Sequence, residues 1–126
     1  DCQRSTGSAF VVNLGVDKSD FVIEGKTSTV TNPTPSGFGY DAHFCPNCAT
    51  IIWSKYHFIE VPIIAVRGGT LDDPNSAPPT YHVYTRSKQS WVVLPDDTPV
   101  FDEWLEPAKV WSKEALGKME EMAEHD

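Results

Sequence analysis

The sequence predicts a mainly β domain that ends in one helix. Two observations carry the β class. Short runs rich in Val, Ile, Thr and aromatic residues recur along most of the chain, a composition that suits a pleated, half-buried surface. Gly, Pro, Asn and Asp separate these runs and mark turns between them. A third observation sets the C-terminal end apart: from residue 112 the apolar positions fall three and four apart, the period of a helix.

The elements follow in order. Residues 9–14 are apolar and β-branched and read as a first strand. Residues 21–25 read as a short strand closed by Gly25. Residues 27–31 alternate Thr and Val with Ser, as a half-exposed strand does. Residues 32–37 form a loop rich in Pro, Asn and Gly. Residues 39–44 re-enter the sheet, and residues 50–54 run back out. Residues 61–67 form another strand, with Pro62 suited to an edge or a strand start because it lacks an N–H donor. Gly68-Gly69 is a turn, and residues 71–79 are a long loop with three prolines. Residues 81–84 and 91–94 are two further short strands. Ser112 then caps a helix with Glu114 in its first turn. Ala115, Leu116, Met119, Met122 and Ala123 share its apolar face, which is expected to pack on the domain or on a partner subunit.

Bulk properties exclude several classes. The 126 residues suffice for one domain with a modest core. The net charge is −8 and no basic stripe is present, so nucleic acid is not an expected partner. No apolar run approaches the ~20 residues of a membrane span. The helix's polar face is acidic, which disfavours an anionic lipid surface. Three cysteines are an odd and sparse set for a disulfide framework. They point to an intracellular, reducing, cytoplasmic setting in which thiols serve metal binding or chemistry. The chain begins at Asp1 rather than Met, which reads as a removed leader or a longer parent chain.

Cys45 and Cys48 lie in Phe44-Cys45-Pro46-Asn47-Cys48-Ala49-Thr50. Pro46 and Asn47 favour a tight turn that brings both sulfurs to one side. The strand-like flanks make this a hairpin knuckle rather than the helix start of a redox pair. Zinc takes about four sulfur or nitrogen ligands in a structural site, so the pair supplies half a set. Cys2, His43 and His82 are further donors, although a hydrogen-bonded or surface role is the commoner one for each histidine. His57 and His125 carry less weight. No Ser/His/Asp arrangement stands out.

Three ordered segments resemble the glutathione-dependent formaldehyde-activating (GFA, or centromere-protein-V-like) family. Cys2-Gln3-Arg4-Ser5-Thr6-Gly7-Ser8 resembles the end of its Cys-x-Cys-x-x-Cys motif followed by Arg-x-x-Gly-Ser. Phe44-Cys45-Pro46-Asn47-Cys48 resembles its later knuckle. Gly68-Gly69-Thr70-Leu71-Asp72-Asp73-Pro74, His82-Val83-Tyr84-Thr85-Arg86-Ser87 and Trp91 resemble its last strands. The resemblance implies an Mss4-like β-tent of twisted antiparallel sheets over residues 1–104, with residues 105–126 as a helical extension.

It also implies two zinc sites. Cys45 and Cys48 would hold a structural zinc together with two earlier cysteines. Cys2 would be the last ligand of a catalytic zinc with an open position. The implied reaction is carbon–sulfur lyase chemistry in the direction of addition: glutathione, or another small thiol, joins formaldehyde to give S-hydroxymethylglutathione. Arg4 and Ser8 would shape the mouth of that site, with Arg4 pairing a substrate carboxylate. The partner cysteines of both sites would stand before Asp1, so the sequence reads as the family domain without its N-terminal strands. Its zinc sites are then expected to be empty or rearranged, one arrangement joining Cys45 and Cys48 to Cys2 or His43, and a homo-oligomer is one way to cover the exposed sheet edge. Ala49 replaces a frequent family glycine, a change that a negative φ would tolerate. The alternative to an enzyme is a non-catalytic zinc-ribbon module that binds a protein.

Overall fold

The computed structural model describes residues 1–34 and 37–125. Five strands form one antiparallel sheet: β1 (Asn13–Asp17), β2 (Ser28–Asn32), β3 (Tyr40–Phe44), β4 (Ile51–Tyr56) and β5 (Ile63–Arg67). Their spatial order is β1-β5-β4-β3-β2. Strands β2 to β5 are consecutive neighbours, and β1 docks on the far side of β5. A short helix α1 (Cys2–Thr6) precedes the sheet, and α2 (Pro107–Val110) and α3 (Lys113–Glu124) follow it. The mainly β class with a terminal helix therefore holds.

Residues two apart along a strand share a face. The register pairs Asn13 with Arg67, Ser54 with both Ala42 and Ala65, and Tyr40 with Tyr56, so these residues line one face. Ala42 is fully buried there and Tyr40 and Ser54 nearly so. The Tyr40 and Tyr56 rings stack at 5.2 Å. Phe58 carries the aromatic contact on to Trp104, edge to face at 4.9 Å. Leu105, 4% exposed, joins the core. The other face presents Trp53, with the His43 ring stacked on it at 3.6 Å and Phe21 against its edge at 5.6 Å.

Several sequence expectations shift. The first strand begins at Asn13 rather than Ala9, and Gly68 donates its N–H to the Val12 carbonyl just before it. Residues 21–25 form no strand: Phe21 packs on Trp53, while Val22 is 81% exposed. Residues 81–84 make only one isolated bridge, His82 to Val100, and Tyr84 enters the left-handed region at φ 54°, which ends the pairing. Residues 91–94 form no strand either, and Val93 is 90% exposed. Helix α1 was not anticipated. The expected loop over residues 32–37 includes Pro35 and Ser36, which lie outside the described residues.

Helix α3 matches its expectation closely. The Ser112 hydroxyl accepts from the Ala115 N–H, and Glu114 lies in the first turn. Ala115, Leu116, Met119 and Met122 are half-buried and none of the helix is fully buried. Lys118 ties the helix to the sheet through Asp17 at 3.6 Å and Asp20 at 3.9 Å.

Candidate functional site

The knuckle is built by local hydrogen bonding. The Cys45 N–H donates to the Thr50 carbonyl at 2.9 Å, and the Ala49 N–H donates to the Cys45 carbonyl at 2.8 Å. This closes the turn and sends β4 back beside β3. A register shift between His43 and Phe44 adjusts the sheet just before it. Ala49 sits at φ 61°. The condition under which alanine would be tolerated, a negative φ, is not met: the turn needs a left-handed residue, and alanine occupies it at a cost of about 1–2 kcal/mol.

Donors surround the Cys48 thiol. The Cys48 Sγ lies 3.2 Å from the Thr50 hydroxyl. Hydrogen bonds from the Thr50 side chain, the Thr50 backbone and Cys45 together pull the Cys48 thiol below its ordinary pKa. A thiolate with such donors around it is what a zinc ligand requires. The donor chemistry therefore fits half of a tetrahedral site. Among the described residues no group of three or more Cys, His, Asp or Glu side chains is placed to hold a metal ion. The single rearranged site from Cys45, Cys48 and either Cys2 or His43 is accordingly not assembled. His43 is engaged elsewhere: its ring stacks on Trp53, its Nδ1 lies 3.0 Å from the Thr29 hydroxyl, and burial holds its pKa down. The Nε2 of His82 is buried without a hydrogen bond.

Cys2 lies outside the sheet, in the short helix before β1. Burial raises the pKa of the Tyr56 hydroxyl, Cys2 adds to the rise, and Arg67 works against both. Cys2 opens α1, where its carbonyl accepts from the Thr6 hydroxyl at 2.7 Å and the Ser5 hydroxyl at 3.3 Å. Gly7 ends the helix at φ 68°. Gln3 anchors the segment by donating to the Ser87 carbonyl at 2.9 Å. Arg4 and Ser8 are both exposed; the Ser8 N–H donates to the Thr6 hydroxyl.

Sequence reasoning missed a polar chain that crosses the sheet. Arg67 is only 7% exposed. Its Nη1 donates to the Asn13 Oδ1 at 3.1 Å, and the Asn13 Nδ2 donates to the Tyr56 hydroxyl at 3.4 Å. Three strands contribute one residue each, so no local spacing marks the group. The signal available was a lone arginine closing an otherwise apolar strand, Ile63-Ile64-Ala65-Val66-Arg67.

No helix among the described residues is long and apolar enough to cross a membrane. No curated protein matches the chain. The family model described as "Glutathione-dependent formaldehyde-activating enzyme" matches residues 1–87. That match takes in α1 with Cys2, all five strands, the knuckle and the loops up to Ser87. The chain belongs to the family of glutathione-dependent formaldehyde-activating enzymes.

Proposed function

We propose that the chain acts as a carbon–sulfur lyase-type enzyme that adds glutathione, or a related small thiol, to formaldehyde. The observation that carries this reading is the separation of two kinds of thiol within a domain of this family. The knuckle offers a close pair, an exposed Cys48 bonded to Thr50 and a half-buried Cys45. Helix α1 offers a single half-buried Cys2. The first suits a structural zinc held by Cys45 and Cys48, and the second suits a reaction centre with Cys2 as a zinc ligand.

In the reaction the thiol sulfur bonds to the formaldehyde carbon, the carbonyl π bond opens onto oxygen, and the thiol proton ends on that oxygen. Zinc, when bound, supplies Lewis acidity that stabilises a thiolate near neutral pH. The protein's own part is to hold the two reactants together and exclude competing water. Helix α1 sets the position of Cys2, and its carbonyl bonds from Ser5 and Thr6 keep that first turn closed.

The test combines metal analysis with the rate of S-hydroxymethylglutathione formation above the uncatalysed background. With zinc supplied, a rate above background that is lost in Cys2→Ser is the expected result. Cys45→Ser should lower zinc content and stability. A zinc-loaded protein whose rate equals the background overturns the enzyme reading and leaves a zinc-binding module.

A further inference from the structure

A cleft lies beyond residues 1–87, the region that the family model matches. Val100, Phe101, Asp102, Trp104, Glu106 and Lys109 line a space of about 560 Å³. Its wall is pinned to the rest of the domain. The His82 N–H donates to the Pro99 carbonyl at 2.9 Å, and the Phe101 N–H donates to the His82 carbonyl at 2.9 Å. The Tyr84 N–H donates to the Glu103 carbonyl at 2.8 Å. Phe58 meets the Trp104 ring edge to face, and the neighbouring Leu105 is buried. The indole is therefore held in place while 39% of Trp104 stays exposed, and Val100 of the same cleft is 52% exposed. Exposed apolar surface with a polar rim marks a contact site.

Charge indicates what that contact takes. Glu106 is already paired with Lys109, and Glu103 with Arg86. Asp102 joins no ion pair among the described residues; its carboxylate accepts one long bond, from the Thr85 hydroxyl at 3.4 Å. Residues 89–108 hold five carboxylates and no Lys, Arg or His. The chain itself shows which cation suits such surroundings. The Arg86 guanidinium lies 6.0 Å from the centre of the Tyr84 ring and pairs with Glu103. An aromatic face and a carboxylate thus hold one guanidinium together. Trp104 and Asp102 offer the same two groups in the cleft, and among the described residues no Lys or Arg stacks on Trp104.

We propose that this cleft docks an arginine-bearing segment of a partner protein. The guanidinium stacks on Trp104 and pairs with Asp102, and the stem of the side chain lies against Val100. The net charge of −8 steers a basic segment toward it. Asp102 and Trp104 are both exposed, so the cleft suits a side chain presented on a polypeptide rather than an enclosed small molecule. The proposal is separate from the thiol chemistry, because the lining residues all follow residue 87.

The experiment titrates the full chain with a capped octapeptide of alternating arginine and glycine, its citrulline counterpart and free arginine amide. Binding is followed by amide and indole NMR at ~0.15 M salt, where long-range attraction is screened. Circular dichroism confirms that each variant is folded. Shifts with the arginine peptide should centre on residues 99–109 and include the Trp104 indole, and the uncharged citrulline peptide should not bind. Asp102→Asn keeps the shape of the side chain and should weaken binding roughly 5- to 10-fold. Glu24→Gln removes an exposed carboxylate outside the cleft lining and should change affinity less than about twofold. Equal weakening in the two variants would reduce the effect to general acidity and overturn the proposal. Absent binding, or shifts centred elsewhere, overturns it too. Arginine amide binding as tightly as the peptide would make the cleft a small-cation site instead. Concentration-dependent shifts at the cleft without any peptide would give it to a second copy of the chain.

Discussion

The knuckle and the Asn13–Tyr56–Arg67 chain are built in opposite ways. At the knuckle, six consecutive residues close a turn whose hydrogen bonds stay within residues 45–50. In the other group, Asn13, Tyr56 and Arg67 come from three strands and meet only through the sheet. The knuckle is exposed and the arginine is buried. A local site tolerates exposure because its geometry is fixed by the chain itself. A non-local one needs packing to hold it, and so depends on the stability of the whole sheet.

The contrast breaks most sharply at Lys55. Its ammonium donates to the carbonyls of Ile59, Val61 and Ile63 at 2.7, 2.6 and 3.2 Å, clamping the connection from β4 to β5. Lys55→Met should cost about 3 kcal/mol, since three charge-assisted bonds to half-buried carbonyls are lost. Urea denaturation measures this. The packing that holds Arg67 should loosen with it, and the knuckle's local turn should persist in amide exchange. Loss of knuckle protection before that of β5 would reverse the contrast.

A smaller effect sharpens the knuckle. Ala49→Gly should stabilise the protein by about 1 kcal/mol, because glycine relieves the left-handed strain at φ 61°. Equal or lower stability would mean that the turn relaxes once the strain is removed.

The smallest effect concerns a third place, the start of the β4–β5 connection. The His57 Nε2 lies 3.1 Å from Asp41 and its Nδ1 lies 2.9 Å from the Phe38 carbonyl. The Asp41 and Phe38 bonds raise the imidazole pKa, and Lys55 works slightly against them. Thr31 and His57 hold the Asp41 carboxyl below its ordinary value. A raised histidine contributes stability below its unfolded pKa and loses it as pH rises through the folded one. A lowered aspartate contributes above its unfolded pKa and loses it as pH falls through the folded one. The stability gap between wild type and His57→Gln should therefore be larger near pH ~5.5 than near pH ~8.5. A gap that does not change with pH would show that the imidazole is not charged in this pair.

Legibility from sequence followed the same division. Strands around the knuckle were readable because turn residues bracket them, and Ser112 marked α3 through its own capping bond. Residues 91–94 misled because apolar content does not supply a partner strand. Trp91 and Val93 face solvent while Val92 and Leu94 are half-covered, so the alternation is real but no ladder forms. Cysteine spacing exposed the paired thiols and the family resemblance gave Cys2 its place. Asn13, Tyr56 and Arg67 stayed hidden because their association is a property of strand order.

That strand order has a consequence in time. Strands β2 to β5 can pair as successive hairpins, each closing a short loop. Strand β1 is early in the chain and must wait for β5, across 45 intervening residues between Asp17 and Ile63. Loop closure over that distance comes late and is slow. The knuckle can therefore exist before the sheet is complete, whereas Arg67 meets Asn13 only at the final docking step. The hydrogen bond from Arg67 to Asn13 thus reports on whether the last strand is home.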